Sequence, residues 1–224
     1  MCSPIYGFRL PPSLNDSGAV RERIPMRVAL FGGSFDPPHH GHTAIARAAA
    51  DTFGLERIFF APAGRQPLKT EGAPTPFADR LAMVALVCKV DARFCVSEVD
   101  APRPDGVPNY TVETLAALRE RMPEAKLFNL VGADSFLALR RWREPERLLE
   151  LAEWIVVSRP GFALADLSAL DLTEQQRGRV HLLQTVHEDV AATDLRERLE
   201  GGDPCLDVLA PEVSAYIEEH RLYR

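Results

Sequence analysis

The chain has 224 residues, 46% hydrophobic and 26% charged, enough for one sizeable core. Its formal charge of −6 excludes a general nucleic-acid surface, which needs a basic footprint, but allows small anions at local positive sites. No apolar run has the length that spans a bilayer, the N-terminus lacks the basic-then-apolar order of a signal peptide, and Cys2, Cys88, Cys95 and Cys205 form no C-x-x-C pair. Together these features predict a cytoplasmic protein without a membrane or nucleic-acid partner.

Residues 1–25 mix Pro, Gly and polar residues without periodicity and are read as a flexible lead, with one domain over 26–224. An apolar strand over 27–31 then meets Gly32-Gly33-Ser34-Phe35-Asp36-Pro37-Pro38-His39-His40-Gly41-His42, after which Ile45, Ala49 and Phe53 mark a helix over 40–53. Paired glycines after a strand let the backbone turn tightly and approach a ligand, and the N–H groups of the following helix suit an anion. His39 and His42, three apart, fall on one side of the first turn, with Gly41 leaving room for a ligand. This is a nucleotide phosphate site by composition. A zinc site on Asp36, His39 and His42 is the rival, weakened by the absence of H-E-x-x-H.

A second strand over 57–61 completes a βαβ unit, whose ligands belong at the carboxyl edge of the sheet. The stretch 62–76 is a Pro- and Gly-rich loop with Arg65 read as a solvated cation, ending at a helix start with proline in its first turn. Leu81, Val84, Ala85 and Cys88 give that helix, over 77–90, its apolar face, and a third strand follows over 93–96. After a loop at 100–108, Tyr110-Thr111 opens a helix over 112–121, and a fourth strand over 126–131 ends at Gly132-Ala133-Asp134. A carboxylate there accepts ribose hydroxyls or caps a helix. Trp142, among Arg140, Arg141 and Arg143, offers a stacking face for a flat heterocycle or packs structurally. A fifth strand over 153–157 exits through Ser158-Arg159-Pro160-Gly161, and 166–176 is weakly helical. After a strand over 181–185, Thr193 reads as an N-cap with Arg196 on the same helical turn, so hydroxyl, N–H groups and guanidinium converge on one phosphate. A helix over 211–220 closes the chain with Val213 and Ile217 inward.

The glycine-to-His42 segment resembles the G-[GS]-[ST]-F-D-P-x-H-x-G-H signature of the nucleotidyltransferase superfamily, and the chain from about Met26 to Arg224 is similar to bacterial nicotinate-nucleotide adenylyltransferases. The similarity extends through Pro108-Asn109-Tyr110-Thr111, Gly132-Ala133-Asp134-Ser135, Trp142, Ser158-Arg159-Pro160-Gly161, Thr193-Asp194-Leu195-Arg196 and Leu222-Tyr223-Arg224. It implies a doubly wound α/β fold with a mostly parallel, Rossmann-like sheet. It also implies adenylyl transfer from ATP to nicotinate mononucleotide with Mg2+ accompanying ATP.

Catalysis would fall to His39, His42, Lys69 and Arg196 through positioning and positive charge. Gly32, Gly33, Ser34, Phe35, His39, His42, Gly132, Ser158, Arg159, Thr193 and Arg196 would bind ATP. Tyr110, Thr111, Asp134 and Trp142 would bind the mononucleotide, the ring stacking on Trp142. Leu68 and Ala191 depart from the family, which commonly has histidine and serine at these positions. The alternatives are a sister transferase for another phosphate acceptor, such as nicotinamide mononucleotide, and a nucleotide-binding regulator without catalysis.

Overall fold

The computed structural model describes residues 25–65, 75–158, 164–184 and 192–224. Among these, β1 (Arg27–Gly33), β2 (Arg57–Pro62), β3 (Phe94–Val96), β4 (Lys126–Gly132), β5 (Glu153–Ser158) and β6 (Val180–Gln184) form one sheet in the order β3-β2-β1-β4-β5-β6. Every neighbouring pair is parallel. The order reverses beside β1, where β4 returns to pair with it, so a crevice opens beyond the carboxyl ends of β1 and β4. That is where a doubly wound sheet holds its ligands.

Helices cover both faces: α1 (His40–Phe53), α2 (Phe77–Val87), α3 (Thr111–Arg121), α4 (Ala133–Leu137), α5 (Pro145–Leu151), α6 (Glu174–Arg177), α7 (Ala192–Glu200) and α8 (Pro211–Glu219). Successive residues of a strand point to opposite faces, and β1 shows the result. Val28 and Leu30 pack with Leu115 of α3 and Leu148 of α5, whereas Ala29 and Phe31 pack with Ala46, Ala49 and Ala50 of α1. A third cluster joins α2, α7 and α8 through Met83, Leu195, Val213 and Ile217. A strand buried on both faces reads as continuous apolar sequence, which is why β1 and β2 are apolar without alternation.

Strand and helix positions follow the sequence pattern to within one or two residues, with instructive departures. The helix α1 fully buries Ala46, Ala49 and Ala50, while Ile45 and Phe53 pack at the margin of the same cluster. In α2, Val84 of the expected stripe is buried and Cys88 packs at the core margin, but the other buried residues are Arg80, Met83 and Val87 rather than Leu81 and Ala85. Arg80 can be buried because its guanidinium donates to Ser34 O at 2.7 Å and Thr75 O at 3.1 Å. Pro76 is the N-cap of α2 rather than its first helical residue. Residues 88–90 continue α2 as a 3₁₀ turn, and the weakly helical stretch is a 3₁₀ segment, Leu164–Leu170, followed by α6. The 1–24 segment, Lys69, Arg159 and Ala191 lie outside the described residues.

Candidate active site

The end of β1 is shared by two groups of side chains. On one side is a cavity of about 450 Å³ lined by Gly32, Gly33, Tyr110, Thr111, Asp134 and Trp142, among others. These residues come from β1, the start of α3, the first turn of α4 and the segment before α5, so four elements build one wall set. All four residues expected to hold the mononucleotide are therefore brought together. Trp142 stands edge-on to the buried Trp154, with ring centroids 5.8 Å apart and an interplanar angle of 66°. The Arg143 guanidinium lies 4.6 Å over the Tyr110 ring and pairs with Glu113 at 3.4 Å. This contact fixes a ring that sequence alone leaves open between core cap and ligand wall.

The cavity wall at 100–110 is pinned to the end of β2. Gly64 N donates to Asp100 O at 2.8 Å and Asn109 N to Arg65 O at 3.0 Å. Asn109 Nδ2 donates to Ala101 O at 2.9 Å. Arg65 is not simply a solvated cation: its Nη1 donates to Gly106 O at 3.0 Å, bracing the same loop. Gly64 carries the closest approach, since a Cβ there would lie 2.6 Å from Pro102 N and 2.8 Å from Asn109 Oδ1. Asp100 also lines the cavity; burial raises its carboxyl pKa from 3.8 to about 6, opposed by a hydrogen bond from Thr114.

On the other side stand the histidines. Their ring centroids are 3.8 Å apart, as the three-residue spacing predicts, and His39 N donates to His42 Nδ1 at 3.1 Å. An Nδ1 that accepts leaves the proton of neutral His42 on Nε2, a donor for an anion. The His42 ring is steadied edge-on by Phe35, at 5.0 Å. His39 Nδ1 is buried without a hydrogen-bond partner. Gly41 makes room for His39 itself, because a Cβ would come within 3.0 Å of that ring. The tight turn belongs to Phe35 at φ 48°, while Gly32 and Gly33 keep ordinary φ and leave open or narrow space beside the backbone.

Burial, then His40, lowers the His39 pKa from 6.5 to about 4, and burial, then His39, holds His42 well below 6.5. The expectation of positive charge on these two rings is thus corrected: burial keeps both neutral at pH 7. Unfolded histidine binds a proton near pH 6.5 that folded His39 refuses until about 4, so the unfolded state holds more protons in that window. Stability should therefore fall as pH drops through it, and His39→Gln should flatten the fall in urea midpoint. Asp100, with its raised pKa, contributes the opposite slope below about pH 6, so the comparison with the variant isolates His39. Equal slopes in both proteins would contradict the assignment.

Thr193 and Arg196 meet across one turn of α7, with Arg196 Nη2 donating to Thr193 Oγ1 at 3.4 Å and Nη1 to Asp36 O at 3.2 Å. Thr193 is the second residue of α7 and not its N-cap. Arg196 is tied in this way to the loop that carries His39. Ser158, at the end of β5 on the same sheet edge, is 4% exposed with its Oγ unpartnered. Gly132 ends β4 with open space beside its Cα. Asp36 does not join the histidines as a third metal ligand: its carboxylate accepts from Tyr223 Oη at 2.5 Å and Thr75 N at 3.4 Å. Sequence reasoning missed Arg80, Gly64 and Asp100, whose partners lie far along the chain.

A cytidylyltransferase-like family model matches residues 30–198. A protein from Leifsonia xyli subsp. xyli named probable nicotinate-nucleotide adenylyltransferase is 39% identical over 205 residues, 92% of this chain and 98% of its own length. One from Roseiflexus sp. with the same name is 41% identical over 198 residues, 88% of this chain and 98% of its own. Among solved structures, Plasmodium falciparum nicotinic acid mononucleotide adenylyltransferase complexed with NaAD superposes with a TM-score of 0.69 at 17% identity, covering 88% of this chain and 97% of that one. At that identity the likeness concerns the fold. Among the described residues, no helix is long and apolar enough to cross a membrane.

Proposed function

The chain belongs to the cytidylyltransferase-like family and, within it, to the nicotinate-nucleotide adenylyltransferases, and we propose on that premise that it joins ATP and nicotinate mononucleotide in the cytoplasm. The observation that carries the reading is the two groups of side chains sharing the end of β1: a close pair of imidazole donors and an aromatic-walled cavity. A reaction that joins two nucleotides needs both. The 5′-phosphate oxygen of the mononucleotide attacks the α-phosphorus of ATP, the bond to the bridging oxygen breaks, and pyrophosphate leaves with the electron pair. No side chain becomes covalent.

Holding the two anions in line contributes roughly 7 kcal/mol or more in effective molarity. The remainder is stabilisation of charge growing on the bridging and leaving oxygens. Donation from His42 Nε2 and from His39, with the Arg196 guanidinium and the Lys69 ammonium, serves that need. Gly32, Gly33, Ser34 and Phe35 would hold the triphosphate side with Thr193. Gly132, Ser158 and Arg159 would receive the adenosine. Asp134 would accept from a ribose, and Tyr110, Thr111 and Trp142 would clasp the pyridine ring. Mg2+ would accompany ATP, bound mainly by its phosphates and water.

The placement is tested by a crystal structure with nicotinate adenine dinucleotide bound. The pyridine ring should lie against Trp142 within the cavity and the adenine near Ser158; a ring outside the cavity would overturn the assignment. A kinetic result follows from Gly64. Its replacement by Ala pushes Pro102 and Asn109 outward, so Gly64→Ala should raise the KM for the mononucleotide by about tenfold or more, because small misplacements of positioning groups are costly. The KM for ATP should stay within about twofold. An equal rise in both would show that Gly64 supports the fold generally and not this wall.

A further inference from the structure

The loop from Ser34 to His40 is fastened from outside at three points. Ser34 O accepts from Arg80, Asp36 is held at its middle, and His40 N donates to Val208 O at 2.8 Å. The middle tie is the densest. Asp36 is 3% exposed, its two carboxylate oxygens accept from Tyr223 Oη and Thr75 N, and its carbonyl accepts from Arg196. Tyr223 is the penultimate residue of the chain, 187 positions from Asp36. One buried residue therefore joins the C-terminus, the segment before α2 and the guanidinium of α7.

We propose that the Tyr223–Asp36 hydrogen bond is a positioning clamp for the triphosphate side of the site, fixing the peptide whose carbonyl seats Arg196 and from which the chain runs to His39 three residues later. Tyr223 is not among the residues that line the cavity. It acts through Asp36: without its hydroxyl, one carboxylate oxygen in a buried setting loses its donor, and the carboxylate turns to recover one. The peptide turns with it, and Arg196 and His39 lose their mutual alignment. Burial and the neighbouring Asp36 hold the Tyr223 phenol well above its ordinary pKa, so the hydroxyl remains a donor throughout the neutral range.

The structure supplies its own control. Tyr216, on α8, donates from its hydroxyl to Asp79 Oδ1 at 2.9 Å. It is the same kind of bond, made by the same C-terminal region, and its partner lies on α2 rather than in the loop. The experiment compares wild type, Tyr223→Phe and Tyr216→Phe by MgATP titration in a calorimeter, by turnover with nicotinate mononucleotide, and by the KM for that mononucleotide. The turnover arm rests on the adenylyl-transfer reading; the binding arm does not.

Tyr223→Phe should weaken MgATP binding and lower turnover by about tenfold each, the size of one lost bond to a charged group. It should leave the mononucleotide KM within about twofold, and Tyr216→Phe should leave all three readings within about twofold. Unchanged MgATP affinity and turnover in Tyr223→Phe overturns the clamp, and so does an equal loss in Tyr216→Phe, which would report general loosening of the C-terminus. A wild type that binds MgATP yet yields no turnover overturns the reaction and leaves the clamp to be judged by binding. A wild type that binds no MgATP overturns both.

Discussion

His42→Ala should lower turnover by at least about two orders of magnitude with the fold intact. Removing one preorganised donor to a transition-state oxyanion costs about 3 kcal/mol, and every ~1.4 kcal/mol is tenfold in rate. His42 meets the conditions for such a donor. Its Nδ1 is occupied by His39 N–H, its ring is wedged between His39 and Phe35, and burial keeps it neutral with the proton on Nε2. Preorganisation of this kind means little rearrangement as the leaving pyrophosphate takes up charge. The fold should survive because Ala46, Ala49 and Ala50, which follow His42 along the same buried face of α1, still hold the helix to the sheet. Steady-state pyrophosphate release and a thermal melt on the same preparation check the prediction. Turnover within about threefold of wild type would end the role of His42.

Arg196→Ala should cost nearly as much, about a hundredfold in turnover, because truncating a charge-assisted contact to phosphate removes a group worth 2–5 kcal/mol. The companion variant carries the finer argument. Arg196 uses both ends of its guanidinium, Nη1 to Asp36 O and Nη2 to Thr193 Oγ1, and so spans loop and helix as a fork. A lysine keeps the charge and loses the fork. Arg196→Lys should therefore recover only about tenfold of the loss. Full recovery in the lysine variant would show that charge alone matters and that the seat on Asp36 is incidental.

What the sequence makes legible and what it hides divide along chain distance. The βαβ start is legible because apolar runs, a glycine pair and two histidines three apart lie within 27 residues, from 27 to 53, and each signal is local. The cavity residues are legible because Tyr110-Thr111, Asp134 and Trp142 stand in recognisable surroundings, although their meeting at one wall is the work of the fold. The helix α5 is not read. It has seven residues, begins after Glu144 at φ 53° with Pro145 as its first helical residue, and offers too short a period to stand out.

Arg80 is hidden for a different reason. Periodicity assigns charged residues to the solvent face, and the carbonyls of Ser34 and Thr75, with the Asp36 carboxylate nearby, make its burial tolerable. The need for Gly64 is set by the backbone of Pro102, 38 residues later. Residue type alone says nothing of desolvation, so the sequence suggests positive charge on the histidines where the structure leaves them neutral. Burial decides their charge state. Asp36 shows how a local motif misleads: beside two histidines it resembles a ligand, yet its oxygens are directed at Tyr223 and Thr75.

The most direct measurement follows pyrophosphate release by the purified chain with ATP and Mg2+, with nicotinate mononucleotide in one reaction and nicotinamide mononucleotide in another. Rapid release with the acid and much slower release with the amide is the predicted result, since the cavity at Tyr110, Thr111 and Trp142 is then selective for the carboxylate. Release with neither would contradict the assignment of the reaction, and equal release with both would contradict the assignment of the cavity.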